Sequence, residues 1–287
     1  MTLHAAGRVD ATMAVPEVSP GLRSLRMTAW EDILGGLRRW PLWTRLGWLE
    51  IKRRYRRTTL GPFWAAISLL VFVFAIGGLG SGLLGRQSQE YLPYLVSGMV
   101  VWVMLSTMII ESCVVFLHGV NLLRQMRFDY SILVYALLWR NLIAFAHNLS
   151  VYLLIFVLYA PERLGLMQLW GIPGLLLILL NGAWIAFLLG MFALRFRDVQ
   201  PLIQSLIQIT MFVTPIFWPA DSLTGMRRIV YVGLNPFYHL MVIVRNPLMG
   251  LLPPLNSILA VLLITVMGWT VTYFAFSFFR KRIAYWV

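Results

Sequence analysis

Glu50-Ile-Lys-Arg-Arg-Tyr-Arg-Arg-Thr-Thr-Leu-Gly-Pro-Phe-Trp64 is where the chain changes character. Five of the six residues from Lys52 to Arg57 are cations, and no charge then occurs from Leu60 to Leu84. A dense basic block abutting an apolar run of spanning length has the form of a cytoplasmic membrane anchor point. After it the chain alternates between long apolar runs and short turns. Before it lie a tail and a surface helix.

The composition agrees. Of 287 residues, 60% are hydrophobic and 12% charged, with a mean hydropathy of +0.77. A soluble domain carries about 25% charged residues, so this chain cannot cover a water-facing surface of its size. The continuous apolar runs predict helices and not the alternating strands of an outer-membrane barrel. The fold class expected is an all-α integral membrane protein. The single cysteine, Cys113, excludes an intrachain disulfide and a cysteine metal cluster.

Residues 1–26 mix Ala, Pro, Ser and charges without periodicity and read as a disordered cytoplasmic tail; Asp10 and Glu17 interrupt any signal-peptide core. Residues 27–57 differ. Trp30, Ile33, Leu34 and Leu37 recur at helical spacing, Pro41 breaks the pattern, and Leu42, Leu46 and Leu49 resume it. Four tryptophans interleaved with Arg38, Arg39 and Arg45 mark one or two amphipathic helices lying in the membrane interface.

Residues 58–287 form the transmembrane domain, with six spans expected at about 60–84, 91–117, 131–159, 172–194, 199–218 and 257–279. In the first, Gly77, Gly78, Ser81, Gly82 and Gly85 predict close helix packing; no Lys-Ser/Thr follows them, so they are not a P-loop. Asp198 suits an N-cap for the fifth. Residues 221–249 are apolar, but Asn235-Pro236, Arg245 and Asn246-Pro247 cut them into pieces shorter than the ~20 residues a span needs. They read as two short re-entrant helices on the external side. Asp221 is expected to cap the first; Asn235, with Pro236 at the first helical position, is expected to start the second.

Six spans with both termini inside distribute the cations strongly. Of the 24 Lys and Arg residues in the net +13 chain, eleven precede span 1. Arg124, Arg127, Arg195, Arg197 and the final Arg280-Lys281-Arg282 join them, so eighteen fall inside. Arg86, Arg163, Arg227, Arg228 and Arg245 fall outside, and Arg140 within the membrane. The positive excess is orientation signal and contact with anionic lipid, with no nucleic acid implied.

As an enzyme the sequence is poor. His4, His118, His147 and His239 are too scattered for a metal motif, and Glu31-Asp32 on the surface helix are the closest carboxylates. No Gly-x-Ser-x-Gly elbow occurs. The polar residues inside spans say more. Arg140 and His147 are seven apart on one face of span 3, with Asn141 and Asn148 in the adjacent row. A charge at the bilayer centre costs about 2.5–3.5 kcal/mol on insertion scales and therefore takes a partner. Glu111 lies at a similar depth, so Glu111 and Arg140 are expected to pair, as a buried brace or as a substrate contact. Aromatics crowd the span ends: Phe63, Trp64 and Phe72 in span 1, Tyr91 and Tyr94 in span 2, Phe212, Phe217 and Trp218 in span 5. They read either as interfacial belts or as a lining on which sugar rings stack.

Several of these stretches, in this order, resemble the permease subunits of ABC exporters of O-antigen, capsule and related polysaccharides. They are Glu50–Trp64, Tyr91-Leu-Pro-Tyr-Leu95, Arg140-Asn141 with His147-Asn148, Arg195-Phe-Arg-Asp198, Thr214-Pro-Ile-Phe-Trp218, Asn235-Pro-Phe-Tyr-His239 and Arg245-Asn-Pro-Leu248. The resemblance covers about residues 28–287. It implies a homodimer in the bacterial inner membrane that recruits two ATPase subunits and moves a lipid-linked glycan. This chain then binds no cofactor, ATP and Mg being used by the partner.

The resemblance also implies roles. Residues 119–130 become a coupling helix seated on the ATPase through Asn121, Arg124, Gln125 and Arg127, with Arg195, Arg197 and Asp198 nearby. Residues 221–249 become external gate helices carrying Asp221, Asn235, Pro236, His239 and Arg245. Spans 1 and 5 line the channel with Phe63, Trp64, Phe72, Phe212, Phe217 and Trp218. Arg53, Arg54, Arg56 and Arg57 sit where a lipid phosphate enters, or serve only as topology signal. Two alternatives stay open: a permease for another amphiphile, such as a teichoic acid precursor or a drug, and a membrane glycosyltransferase.

Overall fold

The computed structural model describes residues 28–85, 87–119 and 129–286. Residues 1–26, expected to be a tail, and Asn121, Arg124, Gln125 and Arg127, expected to couple to an ATPase, lie outside them. Eleven α-helices are named here in chain order. Two short ones come first, α1 (Ala29–Arg38) and α2 (Trp40–Arg54), followed by α3 (Phe63–Leu84), α4 (Ser88–Ser112) and the single turn α5 (Val115–His118). Then come α6 (Ser131–Tyr159), α7 (Gly171–Arg195), α8 (Val199–Val213), α9 (Gly225–Arg228), α10 (Pro236–Leu248) and α11 (Leu255–Trp286). No strand occurs among the described residues. The chain is an all-α integral membrane protein.

Helix α1 opens on a capping box: Thr28 Oγ1 accepts from Glu31 N at 3.2 Å, and Glu31 Oε2 accepts from Thr28 N at 2.8 Å. Pro41 sits in the first turn of α2, where its missing N–H leaves nothing unpaired, so the surface segment is two helices. Trp30, Trp40 and Trp48 stay exposed on it, as expected of helices lying at an interface.

Five apolar helical stretches are long enough to cross a membrane: Phe63–Gly82, Ser88–Ser112, Ser131–Tyr159, Leu166–Arg195 and Leu255–Arg280. The expected fifth span differs. Helix α8 has 15 residues, about 22 Å at 1.5 Å per residue, and stops at Val213 instead of Trp218. Pro215 is the cause, because a proline pushes the residue before it out of the helical region. Thr214 is accordingly extended, with φ −79° and ψ 139°. Asp198 precedes α8 but makes no side-chain cap bond to it.

Helix α4 is the centre of the bundle. Leu95, Val96, Val100, Val101 and Met108 on it have no exposed surface, and α3, α6, α7 and α10 pack around it. The small residues of α3 divide more finely than the sequence suggests. A Cβ at Gly77 would stand 2.2 Å from Leu92 and one at Gly80 2.6 Å from Tyr91, whereas Gly78 and Gly82 face open space. The packing stripe against α4 is therefore Gly77 and Gly80. Helices α7 and α10 meet backbone to backbone: a Cβ at Gly174 would lie 2.5 Å from the Ile243 carbonyl oxygen. That oxygen is backbone and cannot swing aside. Gly174→Ala is expected to destabilise by about 1–3 kcal/mol, read as a lowered thermal midpoint in detergent; Gly78→Ala should leave it unchanged.

Between α8 and α11 the chain forms two short helical pieces. One is α9 continued by a π turn over Ile229–Gly233; the other is α10. Asp221 does not cap the first: it lies within a 3-10 turn, Ala220–Ser222, and its carboxylate sits 3.5 Å from Arg228 on the surface. Asn235 does cap the second, its Oδ1 accepting from Phe237 N at 3.0 Å and Tyr238 N at 3.3 Å. His239 is buried, bridging Ser257 Oγ and the Gly233 carbonyl, each at 2.9 Å. It ties α10 to the start of α11.

Candidate functional site

Four groups of side chains concern function, and three were visible as residue types in the sequence. The first is an ion cluster centred on Glu111 near the end of α4. Its Oε1 accepts from Arg54 Nη2 at 2.5 Å; its Oε2 accepts from Arg140 Nη2 at 2.7 Å and Asn141 Nδ2 at 3.0 Å. Arg140 also contacts Glu50 on α2. Two carboxylates and two guanidinium groups thus share one network across α2, α4 and α6, with Glu111 and Arg140 largely buried and Glu50 and Arg54 at its more open rim. Sequence reasoning missed Glu50 and the commitment of Arg54. Four-residue spacing puts both on one face of α2, which was the available signal.

His147 and Asn148 do not join this cluster. They lie two turns further along α6, about 10 Å away at 1.5 Å per residue. His147 Nδ1 bonds the Ile143 carbonyl at 2.8 Å, its ring packs edge-on against Phe63 at 5.3 Å, and the Asn148 side-chain oxygen is buried without a partner.

The second group is a rivet the sequence did not disclose. Glu31 and Asp32 adjoin on α1, yet Glu31 is exposed and Asp32 has no exposed surface. Asp32 Oδ1 accepts from Ser131 N at 3.0 Å and Oδ2 from Tyr130 N at 3.3 Å, at the opening turn of α6. Arg280 near the end of α11 donates to Oδ2 through Nε at 2.9 Å and Nη2 at 2.8 Å. A carboxylate at a helix N-terminus also meets the positive end of the helix dipole. Ser131 Oγ donates to the Asp32 carbonyl at 2.6 Å and Tyr135 Oη to the Ile33 carbonyl at 2.9 Å. Helix α1 is thereby fixed to α6 and α11 at the residues that follow the 120–128 stretch. Beside it Asp129 pairs with Arg39 at 3.5 Å. Burial, and then the charge of Asp32, push the Asp129 carboxyl up against the opposing pull of Arg39 and Arg280.

The third group surrounds the irregular backbone after α8. Buried main chain needs partners for its carbonyls, and side chains of α4 and α10 supply them. Tyr91 Oη donates to the Phe217 carbonyl at 2.8 Å, Tyr94 Oη to that of Trp218 at 2.7 Å, and Arg245 Nη1 to that of Pro215 at 2.7 Å. Asn235 Nδ2 donates to Thr214 Oγ1 at 3.1 Å. Arg245 is 3% exposed, and its guanidinium lies 3.5 Å from the centre of the Tyr94 ring, a cation–π contact that compensates a buried charge. These two tyrosines hold backbone and form no interfacial belt.

The fourth group is aromatic. Phe217 packs against Phe72 of α3 at 6.2 Å and Phe212 of α8 at 5.7 Å, and Trp218 Nε1 donates to the Phe212 carbonyl at 3.2 Å. Phe63 and Trp64 stand apart, nine and eight residues back along α3, some 12–14 Å at 1.5 Å per residue. Helices α3 and α8 each leave a broad apolar face uncovered, with Phe63, Trp64, Val71 and Leu79 on one and Leu202, Leu206, Ile209 and Phe212 on the other. At the basic end of the bundle, Arg53, Arg56 and Arg57 are exposed and make no ion pair among the described residues. Arg195, Arg197 and Asp198 are exposed on the turn between α7 and α8.

A bundle of long apolar helices, braced by ion clusters at one end and by captured irregular backbone beyond α8, defines a multi-pass membrane protein. The chain belongs to the ABC-2 type transporter family, whose model matches residues 41–249. It is also similar to the O-antigen export system permease protein RfbA of Myxococcus xanthus, with 23% identity over 193 residues covering 67% of this chain and 74% of that protein. The chain is therefore a transport subunit and not an enzyme, and membership of the family implies an ATPase partner.

Proposed function

We propose that this permease moves a lipid-linked polysaccharide of O-antigen or capsule type outward across the bacterial inner membrane. It works as a homodimer with two ATPase subunits that use ATP and Mg, and its termini are cytoplasmic. The observation that carries the reading is the pair of uncovered helix faces on α3 and α8, joined at one end by Phe72, Phe212, Phe217 and Trp218. Two copies meeting through those faces enclose a path with aromatic walls, and sugar rings stack on aromatic planes. The similarity to an O-antigen export permease supports the substrate class.

In this reading, Arg53, Arg56 and Arg57 stand at the cytoplasmic mouth, where they attract the lipid phosphate, and Arg195, Arg197 and Asp198 face the ATPase. The short helices over 221–249 form the external gate, with Asn235, His239 and Arg245 fixing it to the bundle.

The test is export itself. In cells lacking the native gene, Phe72→Ala with Phe217→Ala should insert normally yet leave lipid-linked glycan inside, with surface polysaccharide reduced at least tenfold. Normal export by the double variant would remove the aromatic path. Arg53→Gln, Arg56→Gln and Arg57→Gln should each insert normally, since the other cations before span 1 keep the orientation signal. Combined, they should lower export severalfold. Unchanged export would make the block an anchor and nothing more. Arg54→Gln belongs to a different class, because it removes a partner of Glu111 and should lower thermal stability as well.

A further inference from the structure

A groove of about 940 Å³ opens on the side of the bundle formed by α1, α2, α6, α7 and α11. Its volume is at the upper end of the ~300–1,000 Å³ of ligand sites. Trp30 and Leu37 of α1, Trp43 of α2, Trp139 and Leu142 of α6 and Tyr273 of α11 are among its walls. Ile33 and Tyr135 of the second group form part of its wall, and the other three groups lie outside it. Apart from the ring N–H and hydroxyl groups of its Trp, Tyr and Thr residues, the lining is hydrocarbon.

Two observations identify the occupant. The groove fits within one leaflet: its α6 wall runs from Tyr135 to Leu142, a rise of roughly 10 Å at 1.5 Å per residue. Half of a ~30 Å hydrocarbon core is about 15 Å. Next, the mouth is cationic. Leu37 and Trp43 flank the α1–α2 junction, which carries Arg38 and Arg39, with Arg45 just beyond, and all three are exposed.

The geometry points to a bound anionic glycerophospholipid of the leaflet at the basic end. Its acyl chains fill the groove, and its phosphate lies against the α1–α2 arginines. This lipid is a resident of the permease and lies on a different side from the proposed glycan path. The inference needs only that the chain is membrane-embedded, so it stands or falls separately from the substrate proposed above.

The experiment uses the full-length protein in nanodiscs of equal phosphatidylglycerol and phosphatidylcholine, one of the two carrying a diazirine on its acyl chain. Adducts are mapped by peptide mass spectrometry. Phosphatidylglycerol adducts on the peptides holding Trp43, Trp139 and Tyr273 should exceed phosphatidylcholine adducts at least fivefold, with near-equal labelling around Leu79 on α3. Leu142→Trp should lower the groove adducts at least fivefold without altering those at Leu79. Should that variant fail to elute as the native protein does, Leu176→Trp at the exposed rim fills the same space. Arg38→Gln combined with Arg45→Gln removes charge from the mouth and should bring the ratio of the two lipids toward one. Equal labelling by both lipids, or groove labelling indifferent to either tryptophan filler, overturns the proposal. So does disulfide cross-linking between two copies through Trp139→Cys and Tyr273→Cys, which would show a second copy covering the groove.

Discussion

Asp32→Ala is expected to be the most damaging single substitution in this chain, costing about 3–5 kcal/mol, the range for removing one member of a buried ion pair. The carboxylate has no exposed surface and serves two backbone N–H groups of α6 and the guanidinium of Arg280 together. Removing it breaks the pair with Arg280, uncaps α6 and frees α1 from both. Asp32→Asn should fall between wild type and alanine, since an amide oxygen still accepts from the helix N-terminus while the ion pair is lost. Thermal unfolding in detergent should rank wild type above asparagine above alanine. The ATPase activity of the assembled complex should become independent of transport where α1 no longer grips α6. Wild-type stability for the alanine variant would show that Asp32 is incidental to the fold.

Glu111→Ala should cost about 2–3 kcal/mol, less than Asp32→Ala because Arg140 keeps its contact with Glu50. Glu111 and Arg140 should be strongly coupled. In a double-mutant cycle with Arg140→Leu, the two losses should fall short of additivity by about 1–3 kcal/mol, as for residues in one network. Additive losses would dissolve the brace. Sequence reasoning alone suggests exchanging the two charges as a rescue, and the structure argues against it. An arginine at 111 would face Arg54, and a glutamate at 140 would face Glu50. The exchange is expected to restore little, which makes a four-residue network distinguishable from an isolated pair by one measurement.

The fold class was legible because bilayers impose so few solutions. Long uncharged runs, the basic block at Lys52–Arg57 and the break at Pro41 are local signals, and each dictates its consequence within a turn or two of chain. Pro215 was equally visible. It was misread because Phe217 and Trp218 continue the apolar run, whereas the rule on the residue before proline ends α8 at Val213. The Glu111–Arg140 contact was within reach by depth alone, since both lie a few residues from the same end of neighbouring helices. Glu50 and Arg54 were not, because nothing in α2 says which neighbour it faces.

The sequence by itself determined a membrane-embedded helical bundle, its basic end, and the residue types that would need burial with partners. Only the tertiary structure decided that Asp32 and not Glu31 is the buried carboxylate, that Tyr91, Tyr94 and Arg245 hold the backbone after α8, and that a lipid-sized groove opens beneath α1 and α2. The reason is physical. Hydropathy and helix period act through neighbours along the chain, so any segment carries them. The cost of an unpaired buried charge or carbonyl is instead settled by whatever distant element packs against it, as with Arg280, 248 residues from Asp32.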